Sequence, residues 1–480
     1  MPDSNRRKSS HRNRGHDNRR PAPKAQRRAP GDSVRRTAYD VLHAVESRDA
    51  YANLLLPRML RERQLTGRDA ALATELTYGT LRGRGTYDAI LNLCSDRPVD
   101  KIDAPLRDLL RLGVHQLLRT RIPSHAAVST TVDLVRSVAG PGQAKFANAV
   151  LRKVTTRDLP AWLLIIAPDD ELGRLSVVHS HPKWIVSALR DAVGKDEIED
   201  LLIADNERPG VTLVARPGRS SVEELLAIGA GPAAYSPYAA YLPEGDPGEI
   251  EQVRDGRAGV QDEASQLVAL ALAETPLEGS DELGAGSDKL WLDLCAGPGG
   301  KAALLSALAD QRSAHLLACD IQPHRAGLIT RVAGAEAGVA VVDGTAPAWR
   351  PGTFDRVLVD VPCSGLGALR RRPEARWRRT PQTVGQLGPL QRTLLETALE
   401  AVRPGGVVAY VTCSPHLAET RVVVDDVLRR REDVQRLNAP EVLTGIAPTL
   451  TGLGEGPYAQ FWPHRHGTDA MFVALLRRTA

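Results

Sequence analysis

The chain has 480 residues, of which 42% are hydrophobic, so it is long enough for two or three domains with sizeable cores. Its 5 cysteines are odd in number and include no Cys-x-x-Cys pair, so neither a disulfide framework nor a zinc ribbon is indicated. No apolar run reaches the ~18 residues of a membrane span, and no apolar core marks a secretory signal, so a cytoplasmic protein is expected. The net charge of +4 hides an asymmetry: residues 1–36 hold 12 basic and 3 acidic side chains, which leaves positions 37–480 at −5.

Residues 1–32, rich in Arg, Asn, Ser and Pro, show no hydrophobic period and read as a disordered basic tail, either a phosphate contact or a solubilising extension. From 33 to 155 the pattern is helical throughout. Ala38, Val41, Leu42 and Val45 fall on one stripe, as do Leu106, Leu109, Leu110 and Val114, and Val128, Val132 and Val135 mark a further helix. An all-α domain is expected there. Residues 156–250 mix types: helices after His181-Pro182 and around Leu201-Leu202, a strand at Val211–Ala215, and a helix from Val222. They read as a small α+β module. His179 and His181 have no partner spacing for a metal and are read as capping or packing groups.

Residues 251–480 alternate strand and helix after an apolar helix that ends near Ala273 and a flexible stretch over 275–288. Strands are expected at 290–294, 315–319, 339–342, 356–359, 407–411 and 471–476, and helices at 301–308, 325–333 and 394–402. This order predicts a doubly wound, mostly parallel sheet. Ligands of such sheets sit outside the carboxyl ends of the strands.

The loop Asp293-Leu294-Cys295-Ala296-Gly297-Pro298-Gly299-Gly300-Lys301 joins the first of these strands to the first helix. It is not a P-loop, because Cys295 stands where a glycine belongs and Ala302 where Ser or Thr belongs. It does fit the short dinucleotide pattern Gly297-x-Gly299-x-x-Ala302, with Asp320 placed to hold a ribose, so hydride transfer and methyl transfer are both compatible with it. Acids at three successive strand ends, Asp320, Asp343 and Asp360, favour a nucleoside ligand without phosphates, namely S-adenosylmethionine. Taken singly, each is equally a turn or helix cap.

Two strands also deliver a thiol at that edge, in Asp360-Val361-Pro362-Cys363-Ser364-Gly365 and Thr412-Cys413-Ser414-Pro415. Carbon 5 of a pyrimidine becomes nucleophilic only when a thiolate adds at carbon 6, and a base must then remove the carbon 5 proton. Paired cysteines beside a methyl donor suit that reaction. A single free cysteine is otherwise a small buried hydrophobe, the reading given to Cys319 and to the thiol of Cys295. Arg370-Arg371-Arg372-Pro373-Glu374-Ala375-Arg376-Trp377-Arg378-Arg379 follows Cys363 and reads as a basic, aromatic contact for single-stranded RNA, or else as an exposed charged loop. His464-x-His466 lacks a further ligand set and is read as loop-stabilising.

Asp360-x-Pro362-Cys363-Ser364-Gly365, Thr412-Cys413-Ser414 and Cys295-Ala296-x-Pro298-Gly299-Gly300-Lys301 resemble the RNA cytosine-5 methyltransferases of the Nol1/Nop2/Sun family, closest to its bacterial Sun/Fmu branch, which acts on small-subunit ribosomal RNA. The resemblance extends over nearly the whole chain. Ile122-Pro123-x-His125-Ala126-Ala127-Val128 and Asn148–Arg152 look like that branch's NusB-like RNA-binding domain, and Ser180-His181-Pro182-x-Trp184, Val260-Gln261-Asp262 and Trp462-Pro463-His464 match further motifs.

The resemblance implies a Rossmann-like methyltransferase domain with Cys413 as nucleophile and Cys363 assisting proton removal and release. It implies an S-adenosylmethionine site lined by Cys295, Ala296, Gly297, Pro298, Gly299, Gly300, Lys301, Asp320, Asp343 and Asp360, with Asp360 close to the cytosine. It further implies small-subunit ribosomal RNA as partner and no metal. Transfer RNA remains an alternative substrate, and an RNA-binding assembly factor with a degenerate catalytic half an alternative function. The chain departs from the family pattern at Gly297, where the family has Ala. It departs also at Glu419-Thr420-Arg421, in place of Glu-Asn-Glu, and at Ala470-Met471, in place of Gly-Phe.

Overall fold

The computed structural model describes residues 30–279, 288–334, 336–346 and 348–479. Most of the tail read as disordered, and most of the stretch 275–288, lie outside the described residues. The first helix already begins at Pro30, proline being well suited to an opening helical position.

Six helices build the N-terminal part: α1 (Pro30–Arg48), α2 (Ala52–Glu62), α3 (Gly67–Cys94), α4 (Ala104–Arg119), α5 (Ser124–Ala139) and α6 (Pro141–Val154). The stripes seen in the sequence turn inward. Val41, Val45, Leu109, Leu110, Val114 and Val135 are all buried in one core, which Trp162 of α7 (Leu159–Ile166) closes. The helices α8 (Glu171–Val178), α9 (Lys183–Val193) and α10 (Ile198–Ala204) form a second core together with Leu366, Leu369 and Trp462 from the C-terminal part.

A small sheet follows, with β1 (Val211–Ala215), α11 (Val222–Ala227), β2 (Gly231–Pro232), β3 (Ala239–Leu242), α12 (Glu251–Arg254) and β4 (Ala258–Val260). Its strand order is β2-β3-β1-β4 and every pair is antiparallel. The fourth strand thus comes from beyond residue 250.

The C-terminal part contains α13 (Glu263–Glu274), β5 (Leu290–Asp293), α14 (Gly300–Gln311), β6 (His315–Asp320), α15 (Pro323–Ala333), β7 (Gly338–Val341) and β8 (Phe354–Asp360). It continues with α16 (Ala375–Arg378), α17 (Pro381–Ala401), β9 (Val402–Thr412), α18 (Arg421–Leu428), β10 (Val434–Arg436), α19 (Ala439–Ile446), β11 (Ala459–Gln460), α20 (Pro463–His466) and β12 (Phe472–Arg478). The sheet runs β7-β6-β5-β8-β9-β12-β10, with β11 on β12. The first five strands are parallel, β12 is antiparallel to β9, and β10 and β11 each pair antiparallel with β12.

Side chains alternate across it as a pleat requires. Trp291, Leu358, Ala409 and Val411 face α13, α14, α15 and α19, whereas Leu292, Val357, Val359 and Tyr410 face α17 and α18. The sheet is covered on both sides and doubly wound. Among the described residues no helix is long and apolar enough to cross a membrane.

The segment 370–379 does not lie free for RNA as its composition suggested. It clasps the parts of the molecule together. Arg376 is fully buried and donates to Ser180 O (3.1 Å), Asn206 Oδ1 (2.9 Å) and Asp205 O (3.3 Å). Arg378 donates to Val45 O (2.7 Å) and Ala50 O (2.6 Å) in the N-terminal part, and Glu374 accepts from Ala52 N (3.2 Å). Trp377 lies under the Arg84 guanidinium, and Arg371 binds Asp262 and Asp469. Buried backbone carbonyls need donors, and a guanidinium can serve several at once. Only Arg372 in this run is strongly exposed.

Candidate active site

From β5 the chain proceeds outward to β6 and β7, then returns to β8 and β9 on the other side of β5. The loops leaving β5 and β8 therefore part in opposite directions and open a crevice at the carboxyl edge. Three loops meet there: 294–299 after β5, 361–365 after β8 and 413–416 after β9.

Gly299 caps α14 with a left-handed backbone (φ 111°), and a β-carbon there would lie 2.5 Å from Val332 Cγ2 of α15. Gly297 donates its N–H to Asp320 Oδ2 (3.2 Å), and a side chain on Gly297 would collide with that same oxygen. Glycine at the position where the family has Ala thus makes room for the acid of β6. Asp320 also accepts from Gln322 N (2.8 Å) and faces Arg325 Nη1 (3.3 Å).

Lys301, in the first turn of α14, donates to Asp360 Oδ2 (2.8 Å) and so bridges the crevice. Burial pulls its ammonium down, but the charge and hydrogen bond of Asp360 outweigh this and hold it above the usual lysine range. Beneath the pair lies Asp293, 1% exposed, at the end of β5. Neither of its carboxylate oxygens accepts a hydrogen bond of normal geometry, although the Cys295 N–H lies close enough to favour its charge. Burial, then the Asp360 charge, push its carboxyl up to about 8.

Cys363 Sγ and Cys413 Sγ are 3.4 Å apart, and both residues are partly exposed. The shared hydrogen bond raises the Cys363 thiol and lowers that of Cys413. Glu419 and Asp360 add to the rise at Cys363; at Cys413, Lys301 and Arg372 favour the thiolate against burial and Asp360. The arrangement favours a Cys413 thiolate that accepts a hydrogen bond from Cys363. Behind both thiols is Glu419, fully buried. It accepts from Ser364 N (2.7 Å), Ser364 Oγ (2.5 Å) and Ser414 Oγ (2.6 Å), the residues that follow the two cysteines.

The structure therefore brings Lys301, Asp360, Cys363 and Cys413 together, with Gly297 and Asp320 alongside in the β5–β6 loops. Asp343 stands apart from this bonded group. It is exposed after β7, and its carboxylate turns back to Thr345 N (2.9 Å) and Oγ1 (2.7 Å), which hold it below the usual range. Cys319 is buried and its thiol is pushed up to about 12 by burial and Asp293, and burial with the surrounding carboxylates also raises Cys295 well above the usual thiol range, so neither is an activated nucleophile. From the short helix α20, His464 bonds Glu197 (2.9 Å) and His466 bonds Thr451 O (2.8 Å), each tying the helix to a neighbouring segment.

The sequence shows Glu419 and the two serines only as parts of motifs and assigns no role to them or to Asp293. Asp293 was readable as one more strand-end acid, and a serine after each cysteine was the visible sign of a common acceptor.

A glycine-rich helix start, a ribose-type acid at Asp320 and an unpartnered buried carboxylate at Asp293 fit a nucleoside that carries cationic centres and no phosphate. S-adenosylmethionine is such a ligand, and Cys295–Lys301, Asp320 and Asp360 line the crevice edge that could hold it.

Residues 282–477 match the family model "16S rRNA methyltransferase RsmB/F", and residues 32–156 match the NusB family. The chain is 52% identical over 465 residues, 95% of itself and 99% of the relative, to "Putative methyltransferase Rv1407" of Mycobacterium tuberculosis. It is 30% identical over 468 residues, 93% of itself and 99% of the relative, to "Probable ribosomal RNA small subunit methyltransferase B" of Synechocystis sp.. The solved structure of PH0851 has the same fold, at 21% identity and a TM-score of 0.77 over 94% of this chain and 99% of that one. This chain belongs to the RsmB/F family of S-adenosylmethionine-dependent RNA cytosine-5 methyltransferases and carries a NusB-family domain at its N-terminal end.

Proposed function

We propose that this enzyme methylates carbon 5 of one cytosine in small-subunit (16S) ribosomal RNA, with Cys413 as nucleophile. The observation that supports it best is the pair of sulfurs 3.4 Å apart beside the Lys301–Asp360 bridge. The cytosine must leave its stack to reach this edge. The Cys413 thiolate adds to carbon 6, which makes carbon 5 an enamine nucleophile. S-adenosylmethionine supplies the methyl group that carbon 5 takes.

While Cys413 is a thiolate, its charge holds the proton on Cys363. Once that sulfur is bound to carbon, the charge is gone and Cys363 can lose its proton to solvent. The Cys363 thiolate then removes the carbon 5 proton, the ring double bond re-forms and Cys413 departs as thiolate. Asp360, tied to Lys301, faces the base edge, and Asp343 contributes to the adenine end of the donor site. Family membership sets aside the hydride transfer that the loop spacing alone left open.

In this reading residues 33–155 are an RNA-binding NusB-like domain, 156–250 an RNA-contacting module and 251–480 the catalytic domain of a cytoplasmic enzyme. The relatives named as acting on small-subunit ribosomal RNA support the target. Bisulfite sequencing of 16S and transfer RNA from cells with and without the gene tests it. Loss of one 16S 5-methylcytosine on deletion is expected. Loss of a transfer RNA site instead, or of none, would overturn the assignment.

A further inference from the structure

Two thiols in contact pose a question of polarity: either could ionise, and only one can be the nucleophile. The residues that follow them, Ser364 and Ser414, hang on the same buried carboxylate, Glu419. Ser364 gives it both N–H and hydroxyl, Ser414 its hydroxyl, and Gln391 Nε2 approaches at 3.4 Å while also donating to Pro362 O (2.9 Å). The two hydroxyls are 3.1 Å from each other. Glu419 is itself anchored, because Tyr410 Oη donates to its carbonyl (2.7 Å) from within β9. One side chain thus fixes the turn after β8 to the turn after β9, and with them the separation of the sulfurs.

The surroundings of the two thiols differ in sign. Cys363 faces Cys413, Glu419 and Asp360, with Tyr410 nearby. Cys413 faces Cys363 and Asp360, and in addition the cations of Lys301 and Arg372. The hydrogen bond that the thiols share raises Cys363 and lowers Cys413, and Asp360 is common to both; the fixed charges that distinguish the two are Glu419 on one side and the two cations on the other. A negative charge at short range in a dry site disfavours a second one beside it.

We propose that Glu419 is a positioning residue that sets the polarity of the thiol pair, keeping the proton on Cys363 so that Cys413 ionises. The proposal rests on Cys413 being the nucleophile, but it is tested on the cofactor-free full-length protein without RNA.

Iodoacetamide alkylation from pH 6 to 10, read peptide by peptide by mass spectrometry, reports each thiolate separately. In the wild type, Cys413 should react in preference to Cys363 by about tenfold or more. In Glu419→Gln, which keeps the size and removes the charge, that preference should fall to within about threefold and the onset for Cys363 should move to lower pH. Glu419→Asp should restore the preference even if methylation stays slow. Ser414→Ala removes a hydrogen bond, keeps the charge and should also leave the preference intact.

An unchanged preference in Glu419→Gln, or its loss in Ser414→Ala, would overturn the proposal. If Glu419→Gln does not fold, Glu419→Ala is read in the same way, and loss of the preference in Ser414→Ala or Glu419→Asp would still overturn the proposal. A wild-type preference for Cys363 would instead refute the assignment of the nucleophile itself.

Discussion

The ammonium of Lys301 lies 2.8 Å from the carboxylate of Asp360 and joins the helix after β5 to the turn after β8 across the crevice of the sheet. Replacing Lys301 by Met leaves Asp360 as a half-buried charge without its partner. Removing one member of a buried pair costs 3–5 kcal/mol, and Asp360 retains some access to water, so a loss of about 1–3 kcal/mol is expected. The Cys413 thiolate loses a cation as well. Chemical denaturation should show the destabilisation, and alkylation of Cys413 should begin at higher pH than in the wild type.

Asp293 has a carboxyl raised to about 8 in the fold, against ~3.9 in an unfolded chain. Between these values the native state holds a proton that the unfolded state has lost, so this group favours folding more as pH falls from 8 toward 4 and opposes it most above pH 8. Asp293→Asn should therefore raise the melting temperature at pH 8.5 and have little effect at pH 4.5. A cationic ligand settling beside Asp293 favours its ionised form. Binding of S-adenosylmethionine at pH 7 should then release up to about one proton, measurable by calorimetry in buffers of different ionisation enthalpy. No proton release, or equal stabilisation at both pH values, would count against this reading of Asp293.

The two cysteines should fail in different ways. Cys413→Ala should abolish methyl incorporation while RNA binding persists. Cys363→Ala should trap RNA on the protein, because the carbon 5 proton is no longer removed and Cys413 cannot leave. A slowly migrating protein–RNA band on a denaturing gel checks the second prediction, and scintillation counting of labelled RNA the first.

Arg376 and Arg372 sit four residues apart and should behave oppositely. Arg376→Ala strips three acceptors of a donor inside the molecule, so stability should fall by about 2–4 kcal/mol. Arg372 is exposed and close to Cys413, so Arg372→Ala should leave the melting temperature almost unchanged and weaken RNA binding. A urea titration and a filter-binding assay on the two variants separate the effects.

How far the sequence discloses this molecule depends on what kind of pattern a feature leaves. The helical stripes through Val41 and Leu109 are readable because burial of one face imposes a period of 3.6 on apolar residues, and the strands ending at Asp360 and Thr412 because burial of both faces makes each a continuous apolar run stopped by a polar turn. The two thiols are readable because both follow such strands. The antiparallel partners of β1 are not: β3 and β4 are four and three residues long, too short to show alternation. The clasp misleads for a different reason. Arginines that contact RNA and arginines that donate to buried carbonyls of another domain share one composition, and only the position of the partner tells them apart. Glu419 is silent alone, since its meaning lies in Ser364, fifty-five positions away.

The run from Arg370 to Arg379 has a practical corollary for protein engineering. Several of its partners lie more than 160 positions upstream, among them the backbone of Val45 in α1 and of Ala50, Ser180 and Asp205 in the turns beside the N-terminal helices. A truncated enzyme that starts at the small sheet or later would bare a row of guanidinium groups and an indole that no longer have a seat. Because that row is continuous with the turn bearing Cys363, the amputation should reach the reactive sulfurs as well. Chimaeras that exchange the helical front end between related enzymes will need to exchange this ten-residue strip along with it.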